Sequence, residues 1–311
     1  MEAAIFERTQ PGDRILIGCS GGADSLALTY CAGLEAENFS VEIIPVVVDH
    51  GLQAGSDQIA ANVVAELKRI GFNEIFSIRA QVEMRDGLEA SARRARYRAF
   101  DQAIDTYHPK FFLLGHTLND QAESVLLGIA RGSGTKSLSG MPSEHGIFLR
   151  PLITISRATT EAACSEAELN IWRDPHNSDS RFSRVRVREN ILPTMERELG
   201  PGITEALARS AKILREDAEA LDQWADTVFA DLDPSSIEID LLAQLPAAVR
   251  ARVIRLAIYA HGAPPGSISA DHLAPIEALV TGWKGQGPSS LPGGVKVARI
   301  SGRLSLLAQP E

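Results

Sequence analysis

The sequence predicts an α/β protein: a doubly wound parallel sheet followed by a smaller, mainly helical carboxy-terminal domain. Three observations carry that expectation. Short apolar runs at 14–19, 41–48, 74–78 and 111–114 alternate with helical patterns at 25–36, 56–70, 88–106 and 120–130, and such alternation implies right-handed β-α-β crossovers and a sheet covered on both faces. The runs end in small or polar segments, Ser20-Gly21-Gly22, Asp49-His50-Gly51 and Gly115-His116, at the carboxyl edge where ligands bind in sheets of this kind. Beyond residue 200 the strand signal fades and helical periodicity takes over.

The first strand, Ile15-Leu16-Ile17-Gly18-Cys19, breaks into Ser20-Gly21-Gly22-Ala23-Asp24-Ser25 and enters a helix. Two glycines let the backbone turn tightly and approach an anion, while serine hydroxyls, loop N–H groups and the helix N-terminus favour negative charge. A nucleotide is the expected guest. The loop lacks the Gly-Lys-Ser/Thr ending of kinase- and GTPase-type loops and the spaced glycines of a dinucleotide fold.

The second strand ends at Asp49-His50, candidates for contact with ribose, adenine or metal. The third helix carries Arg93-Arg94-Ala95-Arg96-Tyr97, with Arg93 one turn from Arg96 and Tyr97, a pattern suited to phosphate or carboxylate. The fourth strand ends at Gly115-His116 and leads into a helix with Asp120 and Glu123 on one face. These acids could hold a cationic substrate or Mg²⁺, or accept a proton from an amine; a helix cap is the plainer role for Asn119 or Asp120. After Arg131-Gly132-Ser133-Gly134 a Gly/Ser-rich stretch reads as a cover or a connection, followed by a helix from Arg157.

Ile203 to Val228 reads as one amphipathic connecting helix, with Leu207, Leu214, Leu221 and Trp224 at heptad-like spacing. Beyond it, 237–240 reads as a strand, 247–259 and 271–280 as helices, and 295–307 as a hairpin turning at Ser301-Gly302. The implied organisation is a nucleotide-binding domain over 1–200, a connecting helix over 201–230 and a small domain over 231–311.

At 311 residues and 44% hydrophobic content the chain is long enough for a sizeable core. Its net charge of −9 argues against non-specific coating of nucleic acid, yet arginines gather at 93–98 and again at Arg181, Arg184, Arg186 and Arg188, so the surface can be locally basic. Aromatic content of 5% advertises no base-stacking platform. Cys19, Cys31 and Cys164 form no C-x-x-C pair, which argues against a disulfide framework or a zinc ribbon. No stretch approaches the length needed to cross a bilayer, so a cytoplasmic location and no membrane partner are expected.

The S-G-G-x-D-S loop resembles that of the ATP pyrophosphatases, or PP-loop enzymes. Asp49-His50-Gly51-Leu52, A-R-x-x-R-Y at 92–97, G-H-x-x-x-D-Q-x-E at 115–123, Arg131 to Gly134, Arg150-Pro151-Leu152, and Asp174 to Asp179 leading to Arg184, Arg186 and Arg188 complete an ordered set. Together they resemble the tRNA(Ile)-lysidine synthetases. The resemblance implies a Rossmann-like PP-loop domain and an enzyme that adenylates the wobble cytidine of an isoleucine tRNA bearing a CAU anticodon. The ε-amine of free L-lysine then attacks C2 and expels AMP. On this reading Ser20, Gly21, Gly22, Ala23, Asp24, Ser25, Asp49, His50, Gly115 and His116 bind ATP, with Mg²⁺ at Asp24. Asp24, Asp120 and Glu123 are catalytic, the latter two engaging lysine, and Arg93, Arg96, Arg184, Arg186 and Arg188 bind tRNA. A homodimer stays open.

Asn119, Thr117, Ser124 and Val185 depart from the residues common in the family, and Asn119 removes a carboxylate that could have held metal. The tail resembles the family's first carboxy-terminal domain, with Leu291-Pro292-Gly293-Gly294 near its end. Other readings are a tRNA-thiolating PP-loop enzyme, for which the chain offers no paired catalytic cysteines, a small-molecule synthetase, and a non-catalytic adenine-nucleotide sensor, which would not need Asp120 and Glu123.

Overall fold

The computed structural model describes residues 3–51, 55–83, 87–132, 134–172 and 179–308, so Leu52 and the 174–178 part of the Asp174 stretch lie outside it. The chain divides into two compact units, 1–214 and 215–311, and the division falls inside one long helix.

In the first unit the chain runs β1 (Arg14–Gly18), α1 (Ala23–Phe39), β2 (Glu42–Asp49), α2 (Ser56–Arg69), β3 (Phe76–Arg79), α3 (Leu88–Tyr107), β4 (Phe111–Leu114) and α4 (Leu118–Ala130). It continues through α5 (Thr135–Leu138), β5 (Glu144–His145), β6 (Phe148–Leu149), α6 (Arg157–Glu166), α7 (Ser183–Arg186), a π-helical turn (Val187–Ile191), α8 (Leu192–Leu199) and α9 (Ile203–Ala230). The sheet order is β3-β2-β1-β4-β6-β5, parallel except for the β5–β6 hairpin at the edge.

Strand alternation explains how both faces are covered. Ile15 and Ile17 point to one side and pack with Phe6, Leu28 and Ala32 of the α1 layer, while Leu16 points to the other with Phe100, Ala103 and Phe112 of the α3 layer. β1 lies between β2 and β4, so the chain reverses its direction of winding there, and a crevice opens at the carboxyl edge. β6 extends the sheet beyond the four expected strands: Phe148 and Leu149 pair with Phe112 and Leu113.

The Gly/Ser-rich segment after α4 is pinned by Gln121, whose Nε2 donates to the Met141 carbonyl at 2.8 Å while its Oε1 accepts from the Met141 N–H at 2.7 Å. Gly140 has φ +60°, and a Cβ there would come within 2.6 Å of Gln121 Oε1, so this bend admits only glycine without displacing the clamp.

In the second unit a four-stranded antiparallel sheet, β7 (Ser236–Glu238), β10 (Arg303–Ala308), β9 (Val295–Ile300) and β8 (Ser289–Ser290) in spatial order, packs with α10 (Ile239–Gln244), α11 (Ala247–Ala260) and α12 (Ala270–Thr281). The hairpin turns at Ser301 and Gly302, both at positive φ (48° and 75°), as a two-residue turn matched to strand twist requires. The expected strand over 237–240 is corrected: it spans Ser236–Glu238, and α10 begins at Ile239, because β10 offers pairing partners only through Glu238. On α9 the heptad line is completed by Ala211, Ala218 and Ala225, all buried, whereas Trp224 is half exposed and lies off that line.

A buried acid ties α2 to the loop after α6. Glu66 accepts from Arg69 Nε and Nη2 at 2.8 and 2.6 Å and from the Asn170 N–H and Nδ2, both at 2.8 Å. Arg69 and, against the cost of burial, Asn170 hold its carboxyl down at about 2. A carboxyl depressed in the folded state stabilises the fold above its unfolded value and loses that contribution as pH falls. Glu66→Ala is therefore expected to cost about 2 kcal/mol at neutral pH, with the difference from wild type vanishing between the ordinary glutamate value of 4.5 and about 2; denaturant titrations across that range check it.

Candidate active site

Each strand-end motif reaches the crevice at the carboxyl edge. The Ser20–Ser25 loop is held by its own hydroxyls: Ser25 Oγ donates to the Gly22 carbonyl at 3.0 Å and accepts from the Ser20 N–H at 3.1 Å. Gly21 has φ +82°, and a Cβ on it would sit 2.4 Å from Val63 Cγ2, so sterics and backbone conformation both require glycine. Gly22 caps α1 without a side chain. The first-turn N–H groups therefore remain suited to an anion. Gly115 lets β4 approach this loop, since a Cβ there would lie 3.2 Å from the Asp24 backbone.

Asp24, in the first turn of α1, meets α6 and α4. Arg157 Nε donates to Asp24 Oδ2 at 3.2 Å, its Nη2 to Asp120 Oδ1 at 3.2 Å and its Nη1 to Glu123 Oε1 at 3.5 Å. One guanidinium thus gathers three carboxylates from two sequence-distant motifs. Thr160, one turn along α6, donates from Oγ1 to Asp24 Oδ1 at 2.5 Å, and Cys164 on the same face packs against the Ala23 carbonyl at 3.3 Å.

Asp120 divides its two oxygens between structure and site. Its Oδ2 accepts from the Thr117 N–H and hydroxyl at 2.8 and 2.9 Å, closing a capping box on α4, while Oδ1 faces Arg157. Burial pushes this carboxyl up, but the charge of Arg157 and the Thr117 hydrogen bonds outweigh it and hold the group below its ordinary range. Asn119 Oδ1 accepts from the Arg157 N–H at 2.9 Å, so it positions the arginine.

Glu123 is wholly buried. Arg188 grips it with two bonds, Nε to Oε1 at 2.7 Å and Nη2 to Oε2 at 3.0 Å, and Arg184 Nε lies 3.3 Å from Oε2 while its Nη2 donates to Ser124 Oγ at 2.8 Å. Arg184 and Arg188 are four apart on a helical segment and share a face; Arg186 is off that face and exposed, donating to the Ser180 and Arg181 carbonyls. Arg93 and Arg96 are exposed on α3, and the Arg93 guanidinium lies 5.0 Å from the Tyr97 ring centre.

Asp49 is buried and its Oδ1 accepts from the Gly51 N–H at 2.8 Å, which shapes the turn after β2. His50, Gly51, Arg79, Ala80, Gln81 and Val82 line an open cavity of about 500 Å³ beyond β2 and β3, within the size range of small-ligand sites. His116 follows β4. Burial, helped by the charges of Arg150, Arg184 and Arg93 and opposed by Asp120, pushes its imidazole down to about 4, so it is neutral near pH 7. Burial also pushes the Cys19 thiol up and the Cys164 thiol up to about 11, which keeps both protonated and poorly nucleophilic.

Arg157 and Thr160 are the site residues that motif reading missed. A lone arginine at the start of a helix has no spacing signal; the nearest one was Ser156, whose hydroxyl caps α6. Among the described residues no group of three or more His, Cys, Asp or Glu side chains is arranged to hold a metal ion, and no helix is long and apolar enough to cross a membrane.

Comparison with known proteins accords with this geometry. Residues 2–195 match the family model of the PP-loop domain, and residues 238–305 match that of the TilS substrate binding domain. The tRNA(Ile)-lysidine synthase of Leifsonia xyli subsp. xyli is 46% identical over 301 residues, covering 95% of this chain and 90% of that protein. That of Thermobifida fusca is 43% identical, covering 96% and 92%. Among solved structures, the U34-tRNA thiolase NcsA from Methanococcus maripaludis, with its 4Fe-4S cluster, superposes with a TM-score of 0.56 at 19% identity, covering 67% of this chain and 74% of that one, a likeness of fold alone. Two domain matches in order, together with relatives that align along almost the whole chain, place this protein in the tRNA(Ile)-lysidine synthase family.

Proposed function

We propose that this enzyme uses ATP to activate the wobble cytidine of an isoleucine tRNA with a CAU anticodon and joins free L-lysine to its C2 carbon, releasing AMP and pyrophosphate. The observation that carries this reading is the convergence of Asp24, beside the phosphate loop, with Asp120 and Glu123 on one guanidinium. A phosphate-binding loop activates; acids already organised around a cation receive an amine.

The triphosphate lies on the Ser20–Ser25 loop and the α1 N-terminus, and the adenosine extends toward Asp49, His50 and the cavity they border. The C2 oxygen of cytidine attacks the α-phosphorus, the α–β bridging bond breaks, and pyrophosphate leaves. The ε-amine of lysine then adds at C2 and AMP departs with the former C2 oxygen. An unactivated C2–O bond has no adequate leaving group, and an ammonium is not a nucleophile until it loses a proton. Asp120, held ionised, seats and orients that ammonium next to Glu123, and this pair of carboxylates takes the proton that the amine gives up as it adds at C2. Mg²⁺ would be held by Asp24 together with the ATP phosphates, in keeping with its preference for one or two carboxylates plus phosphate oxygens, and would offset charge developing on pyrophosphate.

Arg93, Arg96 and Arg186, all exposed, supply cations for the tRNA backbone, while Arg184 and Arg188 hold Glu123 in place from the same basic segment. The division into 1–200, 201–230 and 231–311 is part of this proposal, with the last part, which holds the match to a substrate binding domain, contributing to tRNA binding. A thiolating reaction is disfavoured because Cys19 and Cys164 are buried thiols.

Incubated with ATP, radiolabelled lysine and a CAU-anticodon isoleucine tRNA transcript, the protein is expected to label the RNA and release AMP and pyrophosphate in equal amounts; a sensor or a thiolase would transfer no lysine. Asp24→Asn is expected to lower lysine transfer by at least about 100-fold, the usual scale for losing a group at the reacting centre, when assayed well below the melting temperature of the variant, which the weakened Arg157 pairing lowers. His116 generates a pH prediction of definite sign. Its folded value of about 4 lies below the ordinary 6.5, so the unfolded chain binds the extra proton first and stability falls as pH drops through that window. An NMR titration should place the imidazole near 4, and His116→Gln should flatten this part of the stability profile.

A further inference from the structure

Arg150 is 7% exposed, and its charge meets no carboxylate among the described residues. Its Nη1 donates to the Pro142 carbonyl at 2.8 Å, while its buried Nε has no hydrogen-bond partner. The second buried arginine, Arg250, is paired with Glu277 at 2.7 Å. Arg157, Arg184 and Arg188 likewise face acids. A buried cation without a counter-charge is costly, and burial indeed lowers the proton affinity of this guanidinium, offset in part by the Tyr97 hydroxyl. Such a group is suited to an anion that arrives from outside.

The sheet register places this arginine. β6 pairs with β4 in parallel, with Leu149 opposite Leu113, so Arg150 leaves the sheet beside Leu114, one residue before Gly115-His116. His116 follows the end of β4 on this same edge, and its imidazole feels the charges of Asp120, Arg150, Arg184 and Arg93. Its Nδ1 has no partner. The nucleotide loop occupies the end of β1, and the cavity at His50 and Arg79 lies beyond β2 and β3. The ends of β4 and β6 are left for the second small substrate. An amino acid with a side-chain amine carries an ammonium and a carboxylate at opposite ends of a flexible four-carbon stem, and this edge offers the acids after β4 and Arg150 after the neighbouring β6.

We infer that Arg150, at the end of β6 beside the strand end that leads to the acids, is the seat for the α-carboxylate of the amino-acid co-substrate whose side-chain amine is held by Asp120 and Glu123. This rests on the reading of lysine as the second substrate. It makes Arg150 a specificity residue, selecting an amino acid over a simple diamine, since a buried donor left without its anion penalises the analogue that lacks it.

Cadaverine, which is lysine without its carboxylate, tests this directly. With ATP and the CAU transcript, wild type is expected to use lysine with a kcat/KM about 100-fold above that for cadaverine, the scale of a lost charged hydrogen bond. Arg150→Gln should bring lysine down to the cadaverine level while changing cadaverine less than about threefold, with KM for ATP and for tRNA unmoved. Arg150→Lys should recover part of the preference. Equal losses for both amines, or a raised KM for ATP or tRNA with the lysine-to-cadaverine ratio intact, would overturn the assignment and make Arg150 a fold or phosphate residue. Should Arg150→Gln melt far below wild type, the ratio measured for Arg150→Lys decides by the same criterion. Failure of wild type to transfer lysine at all would overturn the functional reading itself, and with it this seat.

Discussion

Three carboxylates, Asp24, Asp120 and Glu123, share the guanidinium of Arg157, and the arrangement of the crevice depends on that sharing. Acids so placed repel one another and pay for desolvation unless a cation sits among them. Arg157 supplies that cation, and Arg188 and Arg184 do the same for the innermost acid. The result is a site in which carboxylates and guanidinium groups alternate, with the acids of two distant motifs aimed at one place. The same guanidinium joins α6 to α1 and α4, so site electrostatics and the packing of the first unit are one problem with one solution.

The sheet makes this economical. Because β1 lies between β2 and β4, the loop that receives phosphate and the segment that carries the acids emerge side by side, although nearly a hundred residues separate them in the chain. Gly115 permits the close approach of β4 to the Asp24 backbone, and Gly21 permits the loop to bend over Val63. Neither glycine touches the chemistry directly. Each removes a side chain that would hold the two halves of the site apart.

Much of this was legible in the sequence because the four long strands are apolar runs whose ends are marked by small or polar residues, and local composition records that transition. β5, β6 and β8 were harder: two-residue strands leave no alternation to read, and β6 and β8 depend on partners such as Phe112 and Val297. Loop and acid motifs were readable as chemistry, with a cap as the plainer role for Asn119 or Asp120; that Asp120 closes the cap with one oxygen and faces Arg157 with the other shows only in the fold. Arg157 was not, because its role is set by where α6 docks. Arg184, Arg186 and Arg188 read as equivalent basic residues. The helical turn and the π turn after it separate them, sending 184 and 188 inward to Glu123 and leaving 186 at the surface. Arg150 belonged to a readable motif, but only burial reveals that its charge lacks a partner.

The account holds that the loop beside Asp24 activates a nucleobase oxygen, and that the acids after β4 then supply an amine to the activated base. Isotope exchange between pyrophosphate and ATP tests the order most directly. Exchange is expected when the CAU-anticodon isoleucine tRNA is present and lysine is absent, because the adenylated base forms before any amine is needed. Exchange that requires lysine and proceeds without tRNA would mean that the amino acid's own carboxylate is activated, and would contradict the account.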